Sequence, residues 1–229
     1  MDAADAVIVT GAAGALGRAV VERFRAAGRP VVALDRPGDA LDALGKDDGV
    51  HPIAVDLASR AAVGEAFTQV DALPVTSRAL VGLAGGFTPG SLADTDEDTL
   101  ASLWTSNFGS ALWTAQAAAP RFAAAGGGAI VLVGSKTAVT GAAPVAHATS
   151  KAAVVRLAAI LADELRKDRI RVNAVLPSVI DTPANRTWMS DDLASRAVAP
   201  AAIAAVIDFL CGPDAAPISG AAIPVYGDA

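Results

Sequence analysis

The chain has one cysteine, Cys211, among 229 residues, so it can form neither an internal disulfide nor a metal site built from several thiolates. It has two histidines, His51 and His147, and a single tyrosine, Tyr226. Aromatic residues make up 4% of the sequence, which fits thin helices packed closely on a sheet and not an extended binding surface. Basic charge is also in short supply, with 18 Lys and Arg against 24 Asp and Glu and a net charge of −6. Nucleic acid and anionic membrane both demand basic patches, so neither is expected as a partner. Charges or prolines break each apolar run before it reaches the ~18 residues of a membrane span. The N-terminus enters the apolar stretch Ala6-Val7-Ile8-Val9 behind Asp2 and Asp5, without the basic start of a signal peptide. A soluble, cytoplasmic protein without a metal is expected.

What is present is an apolar chain, 53% hydrophobic and rich in Ala, Gly and Val, of a length that suits one α/β domain. Short β-branched runs predict strands at Val7–Thr10, Val31–Leu34, Ile53–Val55, Leu80–Leu83, Ile130–Val133, Arg171–Val175 and Ile223–Val225. Longer Ala-rich stretches between them read as helices: Ala15–Ala27, Arg60–Val70, Glu97–Ala125, Val145–Lys167 and Pro200–Leu210. Strands that are apolar throughout and separated by helices imply a parallel sheet covered on both faces. The right-handed crossover rule then gives a three-layer, doubly wound, Rossmann-like sheet of about seven strands, with no linker, repeat or second domain. Gly126-Gly127-Gly128 reads as a helix stop and tight turn.

Thr10-Gly11-Ala12-Ala13-Gly14-Ala15-Leu16-Gly17 follows the first strand and opens the first helix. Glycines at that junction permit a tight turn and let backbone N–H groups approach a pyrophosphate. Asp35 ends the second strand, where a carboxylate can accept both ribose hydroxyls of an adenosine and repel a 2′-phosphate. NAD(H) is therefore favoured. The adjacent Arg36 could recruit that phosphate, so NADP(H) stays open. Two readings stand for Asp56 in Asp56-Leu57: a contact to the adenine amino group, or the N-cap of the next helix.

These residues resemble the short-chain dehydrogenase/reductase family over essentially the whole chain. Gly11, Gly14 and Gly17 keep the T-G-x-x-G-x-x-G spacing of some branches of that family. Gly82-Leu83-Ala84-Gly85 matches the last two letters of its N-N-A-G motif. Arg171 through Pro183 looks like its sixth strand and following loop, and Ile218-Ser219-Gly220 with Ile223-Pro224-Val225 like its closing strand. The resemblance implies that Ala84 and Gly85 border the cofactor and that Pro177, Ile180 and Thr182 lie beside the nicotinamide. It implies that Asn107 holds a water in a proton relay, Ser135 polarises the substrate oxygen and Lys151 binds the nicotinamide ribose. The stretches Leu83–Phe87, Leu103–Ser106 and Leu176–Arg186 are similar to the NADH-preferring dihydropteridine reductase branch.

Members of the family carry a tyrosine four residues before the lysine, a spacing that puts both on one helix face. Here His147-Ala148-Thr149-Ser150-Lys151 keeps the lysine and has histidine at the tyrosine position. Ser135 stands one residue closer to His147 than the family spacing, which a shortened loop at Gly141–Pro144 explains. Imidazole can exchange protons near neutral pH. The ammonium of Lys151 and an oxidised nicotinamide would disfavour imidazolium, leaving His147 neutral and better as a base than as an acid. Three readings stand: an oxidoreductase acting on a small carbonyl or alcohol with His147 in the relay, a non-redox enzyme on the same scaffold, and a cofactor-binding protein with little catalysis. Between Pro183 and Pro200 only a short lid is expected, in which Trp188 covers a flat or apolar substrate or simply packs. Apolar residues on more than one face of the helices Glu97–Ala125 and Val145–Lys167, among them Trp104, Phe108, Trp113, Val154, Leu157, Ile160 and Leu161, predict a homo-oligomer, a dimer or tetramer.

Overall fold

The computed structural model describes residues 5–228. Seven strands, β1 (Ala6–Thr10), β2 (Val31–Asp35), β3 (Val50–Ala54), β4 (Ser77–Gly82), β5 (Gly128–Val133), β6 (Ile170–Pro177) and β7 (Ala222–Val225), form one sheet in the order β3-β2-β1-β4-β5-β6-β7. Every pair is parallel. The three-layer, doubly wound architecture expected from the strand–helix alternation is therefore the observed one.

Helices cover both faces because the strands alternate apolar side chains to each side. On one face α1 (Ala15–Ala26), α2 (Asp39–Leu44) and α9 (Pro200–Cys211) bury Val20, Phe24, Leu41, Ile203 and Ile207 against Val7, Val9, Val31 and Val131. On the other, α3 (Arg60–Asp71), α5 (Ser110–Ala124) and α6 (Val145–Glu164) bury Phe67, Phe122, Val154 and Leu157 against Ile8, Leu34, Leu80 and Ile130. Among the described residues α6 is long and apolar enough to cross a membrane, but it lies across the sheet as a core helix.

The structure corrects several boundaries. The third strand begins before Pro52, at Val50, and places His51 opposite Val32. A proline is tolerated there because β3 is the sheet edge and one of its sides makes no ladder. The helix expected over Glu97–Ala125 is α4 (Glu97–Leu103) followed by a π-helical turn, Trp104–Gly109, and then α5. Helix α2 was not expected, nor were the short helices α7 (Pro183–Arg186) and α8 (Asp191–Arg196) of the lid. The glycine stop behaves as read: Gly127 N–H bonds the Phe122 carbonyl at 2.8 Å and Gly126 N–H that of Ala123 at 3.0 Å, the paired bonds of a Schellman cap.

The strand order reverses between β1 and β4. In open parallel sheets the crevice at such a switch point, beyond the carboxyl ends of the strands, is where ligands bind. The segments carrying Gly11–Gly17, Leu83–Phe87, Ser135–Thr137 and Ser178–Ile180 all leave the sheet at that end.

Candidate active site

The turn after β1 depends on its glycines. Gly11 has φ +66°, in the left-handed region, and a Cβ on it would lie 2.9 Å from the Ala84 nitrogen. A Cβ on Gly17 would lie 2.1 Å from the Gly11 carbonyl oxygen, so α1 seats on the turn only because Gly17 has no side chain. Gly14 is the N-cap of α1 and provides no side-chain cap, which leaves the first-turn N–H groups to another acceptor. This cradle fits a pyrophosphate.

The remaining adenosine-end residues divide. Asp35 is half-buried and accepts hydrogen bonds from Ala13 N–H at 2.8 Å and Arg36 N–H at 2.7 Å. Thr10 is buried, and its hydroxyl accepts from Leu83 and Ala84 N–H at 3.1 and 3.2 Å. It therefore braces β1 against the loop after β4 from behind the turn and offers no side chain to a ligand. The cap of α3 is Ser59, which accepts from Ala62 N–H at 3.3 Å, and this corrects the N-cap reading of Asp56. Asp56 instead accepts from Ala58 N–H at 3.0 Å at an exposed position. The Leu57 side chain is buried in the core.

A cavity of about 540 Å³ occupies the other half of the crevice, lined among others by Leu16, Gly85, Ser135, His147, Lys151, Pro177 and Ile180. Thr182 is not on its wall: its hydroxyl accepts from Asn185 N–H at 3.1 Å and caps α7. Asn185 does line the cavity, with its amide nitrogen donating to the Ile180 carbonyl at 2.9 Å. Ser178, where the family usually has glycine, donates to the Tyr226 carbonyl at 2.6 Å and ties this loop to the segment after β7.

His147 and Lys151 sit one turn apart on α6, both more than nine-tenths buried. Lys151 Nζ donates to the Val133 carbonyl at 2.9 Å, and burial brings its pKa down to about 8. Burial first, and then the charge of Lys151, bring His147 down to about 4. The imidazole is neutral at physiological pH, as the sequence predicts, although desolvation outweighs the neighbouring ammonium as the cause. Phe87 stands edge-on to the imidazole with ring centroids 5.0 Å apart.

Ser135 ends the loop after β5, with its Oγ 2.8 Å from Thr137 Oγ1, which in turn lies 3.4 Å from His147 Nδ1. Neither Thr137 nor Phe87 is visible as a site residue in the sequence. One is an ordinary loop threonine and the other a lone aromatic, and only the fold brings them to His147.

Asn107 lies in the π-helical turn and is 1% exposed. Its Oδ1 accepts from Gly86 N–H at 2.9 Å, and its Nδ2 donates to Ser150 Oγ at 2.9 Å and the Gly86 carbonyl at 3.3 Å. The side chain thus clamps the loop after β4 onto α6. Gly85 passes so close that a Cβ would lie 2.4 Å from Asn107 Oδ1. Inserted π turns recur at functional sites because they rotate side chains out of helical register.

A seven-stranded parallel sheet with a glycine turn, a buried lysine and a serine converging on its switch point defines a dinucleotide-dependent enzyme fold. The family model for short chain dehydrogenase matches residues 5–193, and the chain belongs to that family of oxidoreductases. It is 31% identical over 230 residues to 3-oxoacyl-(acyl-carrier-protein) reductase MabA of Mycobacterium bovis, covering 96% of this chain and 91% of that protein. Its structure is similar to L-sorbose reductase from Gluconobacter frateurii complexed with NADPH, with TM-score 0.90 and 25% identity over 99% of this chain and 98% of that one. It is also similar to 7α-hydroxysteroid dehydrogenase complexed with NADH, with TM-score 0.89 and 27% identity over 96% of this chain and 92% of the other.

Proposed function

We propose that the protein is an NAD(P)-dependent oxidoreductase that interconverts a small alcohol and its carbonyl compound, with Ser135, His147 and Lys151 as its catalytic constellation. The convergence of a serine hydroxyl, a neutral imidazole and a buried ammonium on one cavity beside the glycine turn carries this reading. Bound there, the nicotinamide supplies the hydride acceptor or donor. The turn Gly11–Gly17 and the uncapped start of α1 would hold the pyrophosphate, and Asp35 the adenosine ribose, which favours NAD(H) over NADP(H). Lys151 would hold the nicotinamide ribose. Ser135 polarises the substrate oxygen, and His147, at the position of the family's tyrosine, exchanges the proton. Asn107 keeps the Gly85–Gly86 loop and α6 in place around them.

Within the family, the similarity of the stretches Leu83–Phe87, Leu103–Ser106 and Leu176–Arg186 to the dihydropteridine reductase branch supports a lineage near that branch. Exposed Leu100, Trp104 and Ile160 on α4, the π turn and α6 support a homo-oligomer, whereas Val154 and Leu157 face the sheet.

The experiment is a carbonyl and alcohol panel run with wild type and His147→Ala. Acid–base work by His147 requires a loss of turnover of about 10²–10⁴-fold with cofactor affinity nearly unchanged. Equal turnover in the two proteins would remove His147 from the chemistry. Cofactor binding without turnover on any substrate would favour the silent-scaffold reading.

A further inference from the structure

The hydroxyl of Thr137 stands between the two groups assigned to the substrate. Its Oγ1 is 2.8 Å from Ser135 Oγ on one side and 3.4 Å from His147 Nδ1 on the other, and its N–H donates to Ser135 Oγ at 3.2 Å. Phe87 stands edge-on to the imidazole and has no group to bond a ring nitrogen, and the ammonium of Lys151 donates to the Val133 carbonyl.

Counting protons along this row decides its direction. Ser135 has one hydroxyl proton, and to polarise the substrate oxygen it must donate that proton outward. The short contact to Thr137 must then be donated by Thr137, whose only hydroxyl proton is thereby committed. What remains between Thr137 and His147 is a bond that Thr137 accepts, so Nδ1 carries the hydrogen. A neutral imidazole has one N–H, and Nε2 is therefore bare. Donors aligned head to tail polarise one another and strengthen the last bond, the one from Ser135 to the substrate.

Resting on the reading that His147 exchanges the substrate proton, we infer that Thr137 is a positioning residue that holds His147 in the Nδ1–H tautomer and so presents Nε2 as the base. In alcohol oxidation the substrate O–H bond breaks and its proton passes to Nε2. An oxidised nicotinamide bound in the cavity would accept the carbinol hydride, while the imidazolium keeps its Nδ1–H on Thr137. The Nδ1–Oγ1 separation of 3.4 Å is long for a hydrogen bond, as catalytic contacts often are before substrate binds.

The test is nitrogen-15 NMR of the imidazoles at pH 7 in the cofactor-free protein. With two histidines in the chain, His51→Gln assigns the spectrum. Wild type shows His147 protonated on Nδ1 and bare on Nε2. Thr137→Val moves it toward Nε2–H, the tautomer free histidine prefers, and Thr137→Ser restores it. In turnover Thr137→Val lowers kcat roughly 10-fold, the rate equivalent of one hydrogen bond, with KM for the nicotinamide cofactor unchanged. An Nε2–H signal in wild type, or a tautomer unmoved by Thr137→Val, overturns the inference, as does a moved tautomer with unchanged kcat. If the tautomer follows Thr137 while His147→Ala keeps full turnover, the control of the tautomer is supported and the proton-exchange reading fails.

Discussion

The carboxylate of Asp35 accepts a hydrogen bond from the Ala13 backbone at 2.8 Å, tying the end of β2 to the glycine turn that follows β1. The acid therefore has two duties: it braces the turn and it presents negative charge beside it. Asp35→Ser weakens the brace and lowers affinity for both cofactors. The ratio is the informative readout, because only NADP(H) gains from losing a like charge, a juxtaposition that costs several kcal/mol. Wild type should bind NAD(H) more tightly by calorimetric titration, and the variant should move the ratio toward NADP(H) by about 10-fold or more. Tighter NADP(H) binding in wild type would implicate Arg36.

Two glycine-to-alanine changes should behave oppositely. A Cβ on Gly17 meets main-chain oxygens of Gly11 and Ala12 at 2.1 and 2.6 Å, and backbone cannot swing aside. Gly17→Ala should cost about 1–3 kcal/mol in overpacking and abolish cofactor binding. Gly64, on the exposed face of α3, has nothing within 4 Å of a Cβ, so Gly64→Ala should stabilise by about 0.5–1 kcal/mol. Denaturant titration and cofactor titration of both variants check this.

The pH profile for alcohol oxidation follows from two shifted groups. His147 must be neutral to accept a proton, and with its pKa near 4 the acid limb of kcat/KM should fall only below about 5. Lys151, with its pKa near 8, must be charged to hold the ribose, so the alkaline limb should begin near 8. Lys151→Arg should move that limb upward. An acid limb near 6.5 would contradict the buried environment of His147.

Lys151 also makes a stability prediction. Its pKa is about 8 in the folded chain against an ordinary 10.5, so the unfolded chain binds more protons between those values and stability rises with pH across that window. His147 does the same between about 4 and 6.5. At pH 7 the buried ammonium costs about 3 kcal/mol, of which its bond to Val133 is already a part. Lys151→Met should raise the melting temperature of the cofactor-free protein at pH 7 by several degrees and flatten the rise between pH 8 and 10.5. A lower melting temperature would show that the ammonium is better compensated than its burial suggests.

Much of this molecule is written locally. Apolar runs with glycine or polar breaks marked the strands, most sharply β1, β2, β4, β5 and β6, because a strand buried on both faces has no freedom to be polar. The turn Gly11–Gly17 was legible for the same kind of reason: a left-handed residue and a helix seated on main chain demand glycine whatever surrounds them. The pair His147 and Lys151 was legible through the family resemblance, and helical spacing put both on one face. What the tertiary structure decided are relationships between residues far apart in sequence. Thr10 stood in the glycine motif beside the expected pyrophosphate, and only the fold shows its hydroxyl holding Leu83 and Ala84, more than seventy residues away. The π turn at Trp104–Gly109 follows the same pattern, since its seven-residue prelude and its sequel both favour an ordinary helix and the bulge serves Asn107's reach to Gly86 and Ser150. The family resemblance paired Ser135 with His147, but the arrival of Thr137 and Phe87 beside them has no signal in the chain. Hydroxyls and single aromatics carry no periodicity, and hydrogen-bond direction is set only when the Ser135–Thr137 segment and α6 bring their partners within 3.4 Å of one another.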